Sequence, residues 1–253
     1  MTEPLPSPLA PLARDPGHAA VLLDFDGTLA EIVVSPELAR PAVGAVDAVR
    51  AAVGRFAVVA VVSGRPTSDV RALLGVDGVR YLGLYGLEAA SGAGAVPAAV
   101  SAAARVAAAA VAGTRVEEKG GSVAVHYRQA PDPAAARAAL LSAFAEPPAG
   151  FEAIEGKMVV ELVPAGRPRK GGAVRRVLEE LRPSAAMYAG DDTADLEAFG
   201  ELERQAAAGA IAVARVAVTG PETPGELSSA ADIRVAGPAG MVRLLAALAA
   251  AAG

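Results

Sequence analysis

The chain has 253 residues, carries a net charge of −5 and contains no cysteine. The lack of cysteine excludes disulfides, thiolate zinc sites and cysteine nucleophiles, and the lack of a basic tail or stripe makes nucleic acid a poor candidate partner. Hydrophobic residues make up 53% of the chain and aromatic residues only 4%, so the core must consist mainly of Ala, Val and Leu. No apolar run is long enough to span a bilayer, and we expect a cytoplasmic protein.

The N-terminal segment, residues 1–18, contains proline and arginine but no long apolar run. It therefore does not resemble a signal peptide. We expect a flexible leader there, with the folded part of the chain beginning at residue 19.

The next part of the chain, residues 19–90, predicts alternating strands and helices. Short apolar runs are typical of buried parallel strands, and apolar residues at helical spacing lie between them. The strands are expected over 19–26, 56–62 and 79–84, and the helices over 36–54 and from Thr67 onward.

The middle of the chain, residues 91–164, predicts a small inserted α+β cap, because two strand patterns and two alanine-rich helix patterns occur there. Strand and helix alternation resumes after Pro164 and continues to the C-terminus. We therefore predict an α/β fold: a doubly wound, Rossmann-like parallel-sheet core over 19–90 and 165–253, interrupted by the cap.

Polar clusters follow the predicted strands of the core where each strand ends. They are Asp24–Thr28, Ser63–Arg65 and Gly190–Asp192, and Lys170 stands at the start of a predicted helix. Ligands of open α/β sheets bind beyond the carboxyl ends of the strands, so we expect these side chains to converge.

The residue types in these clusters indicate phosphoryl transfer. Asp24 and Asp191 offer hard oxygen ligands, which suit Mg²⁺ better than zinc. Lys170 and the Ser63 hydroxyl are candidates for holding phosphate oxygens. Asp24 can then attack phosphorus to form an aspartyl-phosphate, while Asp26 protonates the leaving alcohol and later activates water.

The runs DFDGT, SGR, RKGG and GDDTAD resemble, in order, the four motifs of the haloacid-dehalogenase phosphatase superfamily. The resemblance implies that Asp24 is nucleophile and metal ligand, and that Asp26 is the acid/base and lends its backbone carbonyl to the metal. It also implies that Asp191 is a further Mg²⁺ ligand, supported by Asp192 or Asp195. The remaining residues assigned from these motifs are Ser63, Gly64 and Lys170 for the phosphate, with Thr28 and Arg65 in support.

Lysine usage gives a second indication. Of 23 basic residues only three are lysines, Lys119, Lys157 and Lys170. An ammonium is a compact point charge, whereas a guanidinium is a planar fork. These three positions are therefore candidates for contacts whose geometry requires lysine.

Four runs in and near the cap resemble the trehalose-6-phosphate phosphatase family: residues 85–88, 117–120, 126–128 and 156–161. The resemblance implies that cap residues hold sugar hydroxyls, which mixed donors and acceptors suit. The residues assigned to the sugar are Glu88, Glu118, Lys119, His126, Arg128, Lys157 and Glu161. Ordinary solvated charges at 118, 119 and 161, and a packing role for His126, are the alternative interpretations. Tyr85 departs from the family, which more often has His or Asn there.

Together these features predict a Mg²⁺-dependent phosphoric monoester hydrolase that converts trehalose 6-phosphate to trehalose and phosphate. The alternatives are a related phosphatase for another disaccharide or pseudo-disaccharide phosphate, and a non-catalytic sugar-phosphate-binding partner of a glycosyltransferase. The expected partner is a sugar phosphate, with a functional link to the glycosyltransferase that makes the ester.

Overall fold

The computed structural model describes residues 4–89, 95–118, 121–166, 169–209 and 211–253, with the backbone alone at 87–89. The chain divides into two compact units. The core unit comprises Met1–Gly86 and Pro168–Gly253, and the insert unit comprises Leu87–Arg167. The cap expected over 91–164 lies within the insert unit.

Strands and helices alternate along the described residues. The strands are β1 Ala19–Leu23, β2 Val58–Val62, β3 Arg80–Leu82, β4 Arg115–Glu118, β5 Val123–His126, β6 Phe151–Gly156, β7 Val159–Pro164, β8 Ala185–Gly190, β9 Ala212–Thr219 and β10 Ile233–Ala236. The α-helices are α1 Ala10–Arg14, α2 Ala45–Val53, α3 Thr67–Leu74, α4 Ala98–Ala109, α5 Pro133–Ala143, α6 Lys170–Leu181, α7 Asp195–Ala207, α8 Gly225–Ala230 and α9 Gly237–Ala251. Among the described helices, none combines the length and apolar character that crossing a bilayer requires.

The sheet of the core unit has six strands in the order β10-β9-β8-β1-β2-β3, and every neighbouring pair is parallel. Strand β1 lies between β2 and β8: Val21 pairs with Val59 on one side and with Met187 on the other. The strand order therefore reverses at β1. A reversal of this kind opens a crevice at the carboxyl ends of the strands, where ligands of open α/β sheets bind.

Strand β1 is apolar throughout because both of its faces are buried. Val21 and Leu23 belong to one hydrophobic cluster, which also contains Leu245 of α9. Ala20 and Leu22 belong to a second cluster on the opposite face, which contains Phe199 of α7. Successive side chains of a strand alternate between faces, so a strand covered on both faces loses the polar alternation of a half-exposed one. The predicted doubly wound α/β core is confirmed.

The sheet of the insert unit is antiparallel, with the order β4-β5-β7-β6. One face packs against α4 and α5 through Val123, Val125, Val160 and Leu162. The sequence analysis identified two of the four strands. Strands β4 and β6 were missed because each is short or only half-buried and carries charged residues, which weakens the apolar alternation.

The helix expected over 36–54 is shorter in the structure. Residues Pro36–Leu38 form a 3-10 turn, and α2 begins at Ala45. Pro41 has no backbone N–H to donate, and Gly44 has a φ of +84°, a left-handed conformation that interrupts a right-handed helix.

The leader expected over residues 1–18 is packed onto the core unit in its described part. Leu9 and Leu12 are fully buried and belong to the same cluster as Val21. The Ala57 N–H donates to the Pro16 carbonyl at 3.0 Å, and the Ser184 N–H donates to the His18 carbonyl at 2.7 Å. The sequence did not predict this contact, because the segment is rich in proline and has few leucines. Its described α-helix has five residues, which is too short to show a hydrophobic period.

The burial of Leu12 predicts a stability effect. We expect Leu12→Ala to lower the free energy of unfolding of the core unit by about 2–5 kcal/mol, because it deletes buried apolar atoms and leaves a cavity. Val43 is 99% exposed, and Val43→Ala should change that free energy by about 0.5 kcal/mol or less. Urea unfolding followed by circular dichroism measures both variants. Equal effects of the two substitutions would contradict the packing of the N-terminal segment.

Candidate active site

Two aspartates follow β1 at the point where the strand ends. The Asp24 N–H donates to the Ala189 carbonyl of β8 at 2.8 Å, so the chain stays attached to the sheet one residue beyond β1. The Asp24 carboxylate is buried, and its Oδ1 accepts a hydrogen bond from the Phe25 N–H at 2.7 Å. The end of β1 thus holds this carboxylate in one orientation.

Gly27 allows the loop after β1 to approach the loop after β8. Its φ is +79°, and a Cβ at this position would lie 2.0 Å from Oδ2 of Asp191. Any side chain would therefore occupy the space of the Asp191 carboxylate, and a left-handed φ would strain it further. The glycine of the DFDGT run brings Asp24 and Asp191 to the same point.

Lys170 joins the carboxylates from the start of α6. Its ammonium Nζ lies 2.9 Å from Oδ2 of Asp24 and 2.6 Å from Oδ1 of Asp195, and the side chain is buried. Burial by itself lowers the pKa of Lys170, but the charges of Asp195 and Asp24 outweigh it and raise that pKa well above its ordinary value. Lys170 is therefore a cation fixed at the end of β1.

Asp195 positions its neighbours through four hydrogen bonds. Oδ1 accepts from the Lys170 ammonium and from the Tyr188 hydroxyl, each at 2.6 Å. Oδ2 accepts from the backbone N–H groups of Asp191, at 3.0 Å, and Asp192, at 2.9 Å. A carboxylate has about four lone-pair sites, so these bonds use its acceptor capacity. Its fully buried carboxylate orients Lys170 and the loop that carries Asp191.

Asp192 contacts a different group. Its Oδ1 accepts a hydrogen bond from the Thr193 N–H at 2.6 Å, at the turn that precedes α7. Gly190 leaves room for Asp195, since a Cβ on Gly190 would lie 2.1 Å from the Asp195 Cγ. Of the two residues that the sequence left open for a supporting role, Asp195 is the one that contacts Lys170 and the loop that carries Asp191; the role itself stays a prediction.

Tyr188 is a site residue that sequence reasoning missed. Besides its bond to Asp195, its ring packs edge-on against Phe199 with centroids 6.3 Å apart. Burial and the charge of Asp195 raise the pKa of Tyr188 well above its ordinary value, so the hydroxyl stays protonated and donates. The feature of the sequence that could have indicated it is a lone tyrosine in an otherwise apolar strand, two residues before Gly190.

The charge balance of this cluster suits a divalent cation. Among the described residues, carboxylate oxygens of Asp24, Asp191 and Asp195 lie within 4.8 Å of one another. Burial raises the pKa of Asp24 well above its ordinary value; Lys170 opposes the rise, and the charges of Asp195 and Asp191 add to it. A hard cation with oxygen ligands would relieve this repulsion, and Mg²⁺ fits such a donor set.

Arg65 holds Asp26 from the neighbouring loop. Its Nε and Nη2 lie 2.7 and 2.8 Å from the two oxygens of the Asp26 carboxylate, and its Nη1 donates to the Pro36 carbonyl at 3.0 Å. A two-pronged guanidinium contact fixes both the position and the plane of a carboxylate. Asp26 is therefore oriented by the Ser63–Arg65 loop.

Ser63 and Thr28 are buried beside these groups. The Ser63 N–H donates to the Leu82 carbonyl at 3.1 Å, and its Oγ accepts from the Arg65 N–H at 3.1 Å. Within the described part of the chain, the Thr28 Oγ1 has no hydrogen-bond partner. A buried hydroxyl without a partner at the end of β1 is an available donor for a bound group.

The insert unit has its own polar face, opposite the face that α4 and α5 cover. Pairing of Glu117 with Ala124, and of Ala124 with Glu161, places these three residues on that face. His126 lies there too, with Nε2 2.6 Å from the Glu117 carboxylate. The Ser122 hydroxyl donates to Glu161 at 2.6 Å, and both side chains are buried.

Other residues assigned to the sugar are distributed differently. Glu118 points to the helix-covered side and pairs with Arg105 of α4 at 3.0 Å. Lys157 lies in the turn between β6 and β7, and Arg128 follows β5. Lys119 and the side chain of Glu88 lie outside the described residues. Glu117, which the sequence analysis did not assign to the sugar, lies on the polar face, whereas Glu118 lies on the other.

Comparison with known proteins identifies one family. A family model described as Trehalose-phosphatase matches residues 22–233. A trehalose-phosphate phosphatase of Mycobacterium avium (strain 104) is 36% identical over 199 residues, which are 72% of this chain and 51% of the relative. One of Mycobacterium ulcerans (strain Agy99) is 34% identical over 216 residues, 77% of this chain and 55% of the relative. The chain thus spans about half the length of the curated relatives it matches.

Solved structures agree with the fold. The C-terminal domain of a trehalose-6-phosphate phosphatase from C. albicans superposes with a TM-score of 0.79. The match covers 96% of each chain at 22% sequence identity. At that identity the likeness shows the arrangement of strands and helices alone.

The contacts of Asp195 predict a difference between two neighbouring aspartates. In Asp195→Asn the amide NH₂ would face groups that themselves donate hydrogen bonds, and the buried Lys170 would lose one negative partner. We therefore expect the free energy of unfolding to fall by about 3–5 kcal/mol. Asp192→Asn keeps an oxygen for the Thr193 N–H and should lose less than about 1 kcal/mol. Denaturant unfolding of the two variants side by side measures this. An Asp195 variant as stable as the Asp192 variant would refute the four-bond assignment.

Proposed function

The chain belongs to the trehalose-phosphatase family, and we propose that it hydrolyses trehalose 6-phosphate to trehalose and phosphate. The observation that carries this proposal is the buried Lys170 ammonium, in contact with Asp24 and Asp195 where β1 ends. A fixed cation can bind the phosphoryl oxygens of a dianionic phosphate ester. The oriented carboxylate beside it can then attack the phosphorus atom.

Asp24, Asp191 and the backbone carbonyl of Asp26 are the ligands we assign to Mg²⁺. When bound, the ion neutralises the carboxylates and the phosphoryl oxygens, so that a dianion can approach Asp24. The assignment omits the Asp195 side chain, because its oxygens already accept hydrogen bonds from Lys170, Tyr188 and two backbone N–H groups. Support for the site comes from the crowding of buried carboxylates at this point.

Asp24 is the nucleophile of the proposed reaction. One of its carboxylate oxygens forms a bond to phosphorus while the bond from phosphorus to the sugar oxygen breaks, which gives an aspartyl-phosphate. Lys170 stabilises the phosphoryl oxygens during this transfer. Ser63, Gly64 and Thr28 complete the phosphate site, since they lie in the loops that follow β1 and β2.

Asp26 is the general acid and then the general base. It gives a proton to the departing sugar oxygen and takes one from the water that attacks the aspartyl-phosphate, which releases phosphate and restores Asp24. Arg65 fixes the position and the plane of the Asp26 carboxylate through its two hydrogen bonds. One residue thus serves both halves of the reaction, first as a proton donor and then as a proton acceptor.

The sugar is assigned to the polar face of the insert sheet, with Glu117, His126, Glu161 and Lys157 as its main contacts. Carboxylates accept and ammonium or imidazole groups donate, which suits the many hydroxyls of a disaccharide. A site that relies on such bonds discriminates strongly, because an analogue without the matching hydroxyl leaves buried polar groups unpaired. The link to a glycosyltransferase that supplies the ester stays a prediction.

A phosphate-release assay tests the proposed function. With Mg²⁺, we expect release from trehalose 6-phosphate to be faster by at least about tenfold than from glucose 6-phosphate or sucrose 6-phosphate, and EDTA should abolish it. Asp24→Asn removes the nucleophile and should lower kcat by about 1,000-fold or more while the protein stays folded. Equal rates on all three esters would instead favour another disaccharide or pseudo-disaccharide phosphate. No release from any of them would favour the non-catalytic sugar-phosphate-binding alternative.

The two faces of β4 predict a contrast between adjacent glutamates. Glu117→Gln should raise KM for trehalose 6-phosphate by about tenfold, since it weakens a hydrogen-bond acceptor on the polar face. Glu118→Gln changes an exposed ion pair with Arg105 and should leave KM unchanged. Neither change should affect turnover of p-nitrophenyl phosphate, which has no sugar. A raised KM in the Glu118 variant alone would reverse the assignment.

A further inference from the structure

Three consecutive residues after β3 have left-handed backbone conformations: Leu84 with a φ of 48°, Tyr85 with 57° and Gly86 with 82°. Residues with side chains avoid this region because the Cβ approaches the carbonyl oxygen, at a cost of about 1–2 kcal/mol each. Two adjacent side-chain-bearing residues in this conformation require a structure that holds them there. Such strain is found preferentially where it presents a side chain for function.

Backbone hydrogen bonds hold this turn against the Ser63–Arg65 loop. The Leu84 N–H donates to the Arg65 carbonyl and the Tyr85 N–H donates to the Ser63 carbonyl, each at 2.9 Å. On the other side, Nη2 of Arg176 lies 3.3 Å from the Gly86 carbonyl. The turn is thus attached at both ends to the core unit, which fixes where the Cα–Cβ bond of Tyr85 starts.

The phenol of Tyr85 lies over Gly64. A Cβ on Gly64 would be 2.7 Å from the Tyr85 hydroxyl oxygen and 3.0 Å from Cζ, so the ring occupies the space that a side chain at 64 would take. The Lys170 ammonium lies 6.0 Å from the centre of the same ring. Tyr85 therefore stands beside two residues that we assign to the phosphate.

The surroundings of Tyr81, a second tyrosine of the core unit, differ from those of Tyr85. Tyr81 in β3 packs against the hydrophobic cluster of β1, donates to the Val76 carbonyl at 2.9 Å and accepts from the Val76 N–H at 3.1 Å. Tyr85 is half-buried and belongs to neither hydrophobic cluster of the core unit. Tyr85 therefore differs from Tyr81 in lying outside the hydrophobic clusters, with its ring next to Gly64 and Lys170.

We propose that Tyr85 contacts the substrate in the phosphate site, where its hydroxyl donates a hydrogen bond to an oxygen of the phosphoryl group. A phenol can donate one such bond without adding charge, and a bond to an anion is stronger than one between neutral groups. The proposal deepens the proposed function and rests on it. It makes Tyr85 a determinant of phosphate binding that acts on any phosphate ester, independently of the sugar.

The test compares Tyr85→Phe with Tyr81→Phe, a matched removal of one phenol hydroxyl from the same unit. In Tyr85→Phe, kcat/KM should fall by about 10- to 100-fold for both trehalose 6-phosphate and p-nitrophenyl phosphate, the loss expected for a hydrogen bond to a charged group. Orthophosphate, titrated calorimetrically in the presence of Mg²⁺, should bind more weakly by a similar factor. Tyr81→Phe should keep both properties and lower only the melting temperature.

Several outcomes would overturn the proposal. Unchanged kcat/KM and unchanged orthophosphate affinity in Tyr85→Phe would exclude the contact, and a loss confined to trehalose 6-phosphate would assign Tyr85 to the sugar. If the wild type were inactive on trehalose 6-phosphate, the proposed function would fail, while p-nitrophenyl phosphate and orthophosphate would still decide the role of Tyr85.

Discussion

The buried ammonium of Lys170 is the interaction on which the rest of the site depends. It contacts Asp24 at 2.9 Å and Asp195 at 2.6 Å, and it links α6 to the ends of β1 and β8. A buried lysine without these partners would be strongly destabilised, and so would the carboxylates without the lysine. The charges to which the proposed chemistry is assigned thus also hold the loops after β1 and β8 together, so the stability of the site and the proposed activity would depend on the same residues.

Small residues make this concentration of charge possible. Gly27 and Gly190 stand where a Cβ would overlap the carboxylates of Asp191 and Asp195. The parallel sheet supplies the remaining condition, because the strand order reverses at β1 and the loops after β1, β2 and β8 meet at one edge. The two conditions together allow the Asp24 carboxylate to be buried beside Asp191 and Asp195.

Tertiary contacts distinguish residues that look alike in the sequence. Asp192 and Asp195 are three residues apart, yet Asp195 is the one that contacts Lys170 and Tyr188, because it is the first residue of α7 and faces β8, whereas Asp192 lies in the turn before the helix. Glu117 and Glu118 are adjacent, but the alternation of β4 sends them to opposite faces of the insert sheet. In both pairs the residue type is the same, and the direction of the side chain decides the contact.

The sequence by itself determined the doubly wound α/β core, the aspartates at the strand ends and the lysine at the start of α6. It could do so because apolar runs and the polar residues that end them are local patterns. Only the tertiary structure decided the positioning role of Asp195, the contribution of Tyr188, the place of Tyr85 over Gly64 and the burial of Leu9 and Leu12. Each of these depends on the distance between residues far apart in the chain or on the register of a strand, and neither quantity is encoded in a short run of sequence.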